Sequence, residues 1–150
     1  MNRGIYFNSF NRYIYVAWVF DQSVMELDEN LTLNRILPTD YKPSFITGYN
    51  GQMVVGDNDN GNVYFYQNYS ITQTISTLCI DRVSSILFDA YNHMLVLCEN
   101  NNYLYIHHLN GSFTGISIST CFFSFSINFD SKDRLVVTCM NQINIYYWNW

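Results

Sequence analysis

One hundred and fifty residues, 49% hydrophobic, 18% aromatic and only 13% charged, make a globular chain long enough for one domain with a sizeable core. That composition excludes a disordered or coiled-coil segment. A formal net charge of −5 without any Lys/Arg cluster excludes a phosphate-gripping nucleic-acid surface, and no apolar run approaches the ~20 residues of a membrane span.

The 13 Tyr and 11 Phe, beside many Val and Ile, favour pleated, half-buried surfaces, and only 2 prolines interrupt them, so an all-β fold is expected. The opening stretch MNRGIYFNSF lacks the apolar centre of a signal peptide, which places the chain in the cytosol if it is complete. A signal peptide upstream would make it extracellular. From Gly4 onward the chain falls into similar units. The first reads GIYF, YIYVA, SVMEL and LTLNRIL; the second PSFI, QMVVG, NVYFY and SITQTIST. The third reads SILF, MLVLC, YLYIHH and SFTGISIST; the fourth SINF, RLVVTC and INIYYW. Turn residues Asn11, Asn50, Asn92 and Asp133, each after the first segment of its unit, stand 39, 42 and 41 residues apart. In register with them run apolar columns: Phe7, Ile46, Phe88 and Phe129 before the turn, and Ile14, Met53, Leu95 and Val136 after it. A small column, Ala17, Gly56, Cys98 and Cys139, closes the second segment.

Four strands every ~40 residues, with the second apolar at nearly every position as a strand covered on both faces must be, form the blade of a β-propeller. One all-β domain over 1–150 is therefore expected, a propeller segment of about four blades built of four-stranded antiparallel sheets. The blades fall at roughly 4–39, 43–80, 84–121 and 125–150, the last one incomplete. The stretch GDNDNGN at 56–62 becomes the hairpin between the second and third strands of the second blade. As an EF-hand counted from Asp57 it would put Asn62 and Asn68 where Gly and Glu are required.

The second unit, GQMVVGDNDNGNVYFYQN, resembles an NHL repeat, with Asp57 and Val63 at the family's Asp and Val positions. The family's Arg before that Val is Asn62 here, and Trp18 and Glu99 stand in the Asp column of the first and third units. The resemblance implies a ring of about six blades serving as an interaction module, as in ubiquitin ligases or secreted receptors. Six-bladed enzymes of the gluconolactonase type, and WD or Kelch propellers, are alternatives. The absence of Gly-His and Trp-Asp dipeptides counts against the WD type. Neither end supplies a fourth strand to the last blade, so the sequence is expected either to be a piece of a longer propeller or to self-associate through its open blade edges.

The cysteines form two repeat-equivalent pairs, Cys98 with Cys139 and Cys79 with Cys121, without a CxxC, and are expected to be reduced core thiols. His107 and His108 point to opposite faces of one strand, and His93 falls in a turn on the other side of its blade. No catalytic residue, metal ligand or cofactor is expected. Three sequons, at Asn30, Asn68 and Asn110, recur at the hairpin between third and fourth strands; they serve as ordinary turns, and behind a signal peptide they would carry glycans on one face of the ring.

The opposite face collects Trp18, Asp21, Tyr41, Asp57, Asn58, Asp59, Asn60, Glu99, Asn100 and Asn141, with Lys42, Asp81 and Arg82 among them. An exposed Trp and Tyr among amides suit recognition of a protein or glycan partner. A non-enzymatic binding scaffold is the expectation; the alternative is a piece of a six-bladed, metal-dependent lactonase- or lyase-like enzyme, using acids such as Asp89 and Asp130 beside Asn8 and Asn128.

Overall fold

Turns rich in Asn, Asp and Gly, with alternating aromatic and β-branched residues between them, give strands throughout. The computed structural model describes residues 2–80, 82–99, 103–108, 111–118 and 123–147, and among these there is no helix. The first sheet holds β1 (Asn2–Asn8), β2 (Tyr13–Trp18), β3 (Ser23–Leu27) and β4 (Leu33–Pro38). The second holds β5 (Pro43–Tyr49), β6 (Gln52–Asp57), β7 (Asn62–Gln67) and β8 (Ser70–Ser76). The third holds β9 (Val83–Phe88), β10 (His93–Cys98), β11 (Tyr103–His108) and β12 (Phe113–Ser117). The fourth has three strands among the described residues, β13 (Ser124–Phe129), β14 (Arg134–Cys139) and β15 (Ile143–Tyr147). Each sheet is antiparallel with its strands in chain order, and the four are blades of a β-propeller segment.

Turn chemistry sets the strand ends. Asn50 (φ 48°), Asn92 (φ 64°) and Asp133 (φ 54°) take the left-handed conformation at the expected positions. In the first blade that residue is Arg12 (φ 62°), one place later than expected, while Asn11 accepts the Tyr13 amide through Oδ1. The outer strand of that blade starts at Leu33, because Leu31 (φ 62°) belongs to the turn.

Neighbouring blades meet face to face and bury three separate cores. Tyr15, Ala17 and Val24 pack against Ile46, Met53, Val55 and Tyr66 between the first and second sheets. Val54, Val63 and Phe65 meet Ile86, Met94, Val96 and Tyr105 between the second and third. Leu95, Leu97 and Leu104 meet Ile127, Leu135 and Val137 between the third and fourth. The inner strands β1, β5, β9 and β13 lie next to one another in that order. The outward faces of the end blades are uncovered: Ile5, Phe7 and Ile36 on the first, and Ile143, Ile145 and Tyr147 on the fourth, are exposed.

The small column has a steric cause. In every blade it pairs with the inner strand beside an irregularity of register, between Asn2 and Gly4, Pro43 and Phe45, Leu97 and Cys98, and Ser124 and Ser126. There the next inner strand comes close: a Cβ on Gly56 would lie 2.8 Å from a Val83 methyl. Serines at the same level tie blade to blade, Ser44 donating to the Val83 carbonyl (2.7 Å) and Ser124 to the Cys98 carbonyl (2.7 Å).

The expectation of reduced thiols is overturned. Cys79, after β8, and Cys98, at the end of β10, form a disulfide across 5.4 Å between their Cα atoms. Cys139 is also disulfide-bonded, and Cys121 lies outside the described residues. Repeat equivalence disguised the pairing, because the bond joins unlike positions: the exit of one blade lies over the second strand of the next.

Gly61, in the GDNDNGN stretch, has φ +63°, and a Cβ there would stand 2.1 Å from the Cys79 carbonyl oxygen. Gly61→Ala is expected to destabilise the chain by roughly 2 kcal/mol or more in urea unfolding. Gly51→Ala, at φ +77° but facing open space, is expected to cost only about 1 kcal/mol. Equal losses would contradict the steric account.

Candidate functional site

The loop face expected to bind a partner is largely engaged with itself. Asp57 is buried, its Oδ1 accepting the Asp59 amide (2.9 Å) and its Oδ2 the Asn60 side chain (3.1 Å). Lys42 pairs with Asp59 at 2.8 Å. The Arg82 guanidinium donates to Asn58 Oδ1 (2.6 Å), which joins the second blade to the third, and forms an ion pair with Glu99 beside the Cys79–Cys98 bridge. Lys42 and Asn58 beside Asp59 hold its carboxyl below the usual range. Trp18 is half-buried rather than exposed; Asp21 and Asn141 are exposed, but in the first and fourth blades; Asn100 and Asp81 lie outside the described residues. Tyr41 is no surface residue. It is buried, stacks on Tyr64 with ring centres 4.0 Å apart, and shares a 2.7 Å hydrogen bond with the Tyr66 hydroxyl.

The acids near the inner strands are turn devices. Asp89 Oδ1 accepts the amides of Tyr91 and His93 at 2.8 Å, and its Oδ2 meets His93 Nδ1 at 2.7 Å. Asp130 does the same with Lys132, Arg134 and the Arg134 guanidinium, whose hydrogen bond takes the Asp130 carboxyl down to about 2. Asn8 accepts the Phe10 amide in the first blade. Equivalent geometry in different blades, with His in one and Arg in another, marks a structural motif. His93 opens β10 and lies across from His108, ring centres 4.4 Å apart, rather than on the far side of the blade. His107 is on the other face, buried, with Nε2 unpartnered; burial, then His108, lowers its pKa. Among the described residues no group of three His, Cys, Asp or Glu side chains is placed to hold a metal ion.

A concavity lies on the opposite, hairpin face. A cleft of about 590 Å³ opens between the first two blades, walled by the β1–β2, β5–β6 and β7–β8 turns. Its aromatic lining is Phe10, Tyr15, Tyr66 and Tyr69, and its polar lining is the amides Asn8, Asn11, Asn50, Gln67 and Asn68. Among the described residues no charged side chain lines it. Phe10 is 93% exposed at its mouth. Asn68 (φ 49°) and Tyr69 (φ 66°) make a two-residue hairpin turn closed by the Gln67–Ser70 pair, so an aromatic residue occupies a left-handed position that Gly or Asn would take more cheaply. The Arg35 guanidinium lies over the Tyr69 ring at 4.1 Å.

Behind this wall sits Glu26, fully buried and cross-strand from both Tyr15 and Arg35. Its Oε1 accepts the Asn34 amide, and its Oε2 meets no donor in hydrogen-bond geometry. Tyr15 already accepts from Asn11 Nδ2 at 2.9 Å, which leaves its own proton to turn toward the carboxylate. Burial first, and then Glu26, raise the pKa of Tyr15 and of Tyr69. Sequence reading missed this site: the Tyr residues look like strand residues, and the walls come from turns about 40 residues apart.

The fold and the cleft define a β-propeller segment. No family model and no curated protein matches the chain. Among solved structures it is similar to a streptogramin B lyase (TM-score 0.77, 10% identity), covering 97% of this chain and 54% of that one. It is also similar to the WD40 propeller domain of Doa1 (0.78, 12%, 95% and 49%). A third is a catalytically inactive virginiamycin B lyase from Staphylococcus aureus with quinupristin (0.77, 16%, 97% and 55%). The chain spans about half the length of each. At these identities the likeness concerns the fold alone.

Six phenols at or beside the interface of the first two blades, Tyr6, Tyr15, Tyr41, Tyr64, Tyr66 and Tyr69, are raised above the ordinary 10.0, chiefly by burial. A phenol raised on folding stabilises the native state fully below its unfolded value and loses that contribution as pH climbs through the folded one. The thermal midpoint is expected to hold from neutral pH to about 10 and to fall steeply above it, as phenolate absorbance appears. Free titration of these phenols near pH 10, without unfolding, would contradict their burial.

Proposed function

We propose that this propeller segment is a binding scaffold and that the cleft between its first two blades takes a neutral, hydroxyl-rich ligand, a glycan. The observation that carries this reading is the lining: aromatic rings and side-chain amides without a charge. Amides both donate and accept, as sugar hydroxyls do, and aromatic faces cover the C–H face of a pyranose ring. A charged ligand would lose hydration and find no counter-charge on these walls. The volume falls in the ~300–1,000 Å³ range of small-ligand sites. Tyr69 supports the same reading, since a strained aromatic turn residue held under Arg35 is costly for a hairpin and useful as a stacking platform.

Titration of the purified, oxidised chain with a panel of neutral and acidic oligosaccharides tests this. A neutral member should bind, and Phe10→Ala should weaken it about tenfold, as expected for a contacting aromatic residue. Tyr69→Gly should weaken binding similarly while leaving the thermal midpoint unchanged or higher, because glycine relieves the left-handed turn. Binding of acidic oligosaccharides alone, or indifference to both substitutions, would overturn the reading.

A further inference from the structure

The sequon Asn68-Tyr69-Ser70 forms the turn between β7 and β8, with Asn68 exposed at the rim of the cleft between the first two blades. Asn30-Leu31-Thr32 occupies the corresponding exposed turn of the first blade; Asn110 lies outside the described residues. Turn chemistry alone calls for Asn or Gly here and makes no demand for Ser or Thr two places on. A second observation is independent of the first. The Cys79–Cys98 bridge and a further disulfide at Cys139 are bonds of the kind that form and persist in oxidising compartments, and N-linked glycans are added in such a compartment.

We propose that Asn68, together with Asn30, is an N-glycan acceptor, and that the chain folds in an oxidising secretory compartment. The co-reactant is an oligosaccharide linked through pyrophosphate to a lipid. Asn68 Nδ2 bonds to the sugar C1, the bond from C1 to the pyrophosphate oxygen breaks, and the amide gives up one proton to the leaving group. No oxidant or reductant enters that step; the disulfides use the compartment's own thiol oxidants. Because Asn68 also lines the cleft, the glycan leaves the chain at the cleft's mouth. The inference rests on turn exposure and disulfides and stands apart from what the cleft binds.

The test sends the full 150-residue chain into the secretory pathway of a eukaryotic cell behind a cleavable leader. The product is then treated with the amidase that releases N-glycans and converts the acceptor Asn to Asp, and its peptides are mapped by mass. Conversion at Asn68 and Asn30 is expected, with Ser70→Ala abolishing it at Asn68 only and Thr32→Ala at Asn30 only. The Cys79 and Cys98 peptides should appear linked. A disulfide-bonded chain with Asn68 unmodified overturns the proposal, as does recovery of free Cys79 and Cys98 thiols. If the chain is retained rather than secreted, the same peptides are read from the membrane fraction and decide in the same way. Mass mapping is blind to ligand binding, so this inference and the cleft reading fail separately.

Discussion

A propeller blade has two apolar faces, and only another blade can cover them. A strand such as β10, buried at Met94, Leu95, Val96, Leu97 and Cys98 without a break, has no solvent face at all and is meaningless outside a stack. The other features answer to that constraint. The small column lets inner strands approach, serines carry hydrogen bonds from blade to blade, and a disulfide holds the exit of one blade on the next. Hydrophobic burial at about 25 cal/mol per Å² drives the stacking, but the shape of the stack is set where a methyl group would be too much.

The three interfaces differ in character. Those between the second and third and the third and fourth blades are mostly aliphatic, with Val, Ile, Leu and Met at their centres. The first is rich in tyrosine, with Tyr15, Tyr41 and Tyr66 in the core and Tyr6, Tyr13 and Tyr64 at its margin. A buried phenol must find a partner for its hydroxyl, and the rings hold the two sheets without closing the gap at the hairpin end. The cleft follows from that gap. Glu26 and the strained Tyr69 are both on its side, so polar and conformational cost is concentrated at the interface where a ligand would enter.

Much of the fold was legible in the sequence, because a repeat repeats its errors as well as its signals. The Asn50, Asn92 and Asp133 turns and the apolar columns recur at blade spacing, and all fifteen strands begin within two residues of where hydrophobic pattern and turn residues place them. The site was not legible. Loop residues such as Asp59 and Glu99 looked free because charge in a loop looks solvated, whereas Lys42 and Arg82, from the connections between blades, engage them. Tyr41 looked exposed because nothing in a linear reading shows Tyr64 and Tyr66 closing over it. The disulfide was hidden by the periodicity that revealed the blades, since its ends occupy unlike columns of the repeat.

Each sheet is held by its neighbours, and native-state hydrogen exchange resolved strand by strand tests this most directly. Amides of β6 and β10, in the two blades covered on both faces, should exchange slowest and only through global opening, while those of the first and fourth sheets, each bare on one side, exchange faster through local opening. Equal protection across all four sheets, or slower exchange in β2 or β14 than in β6 and β10, would contradict it.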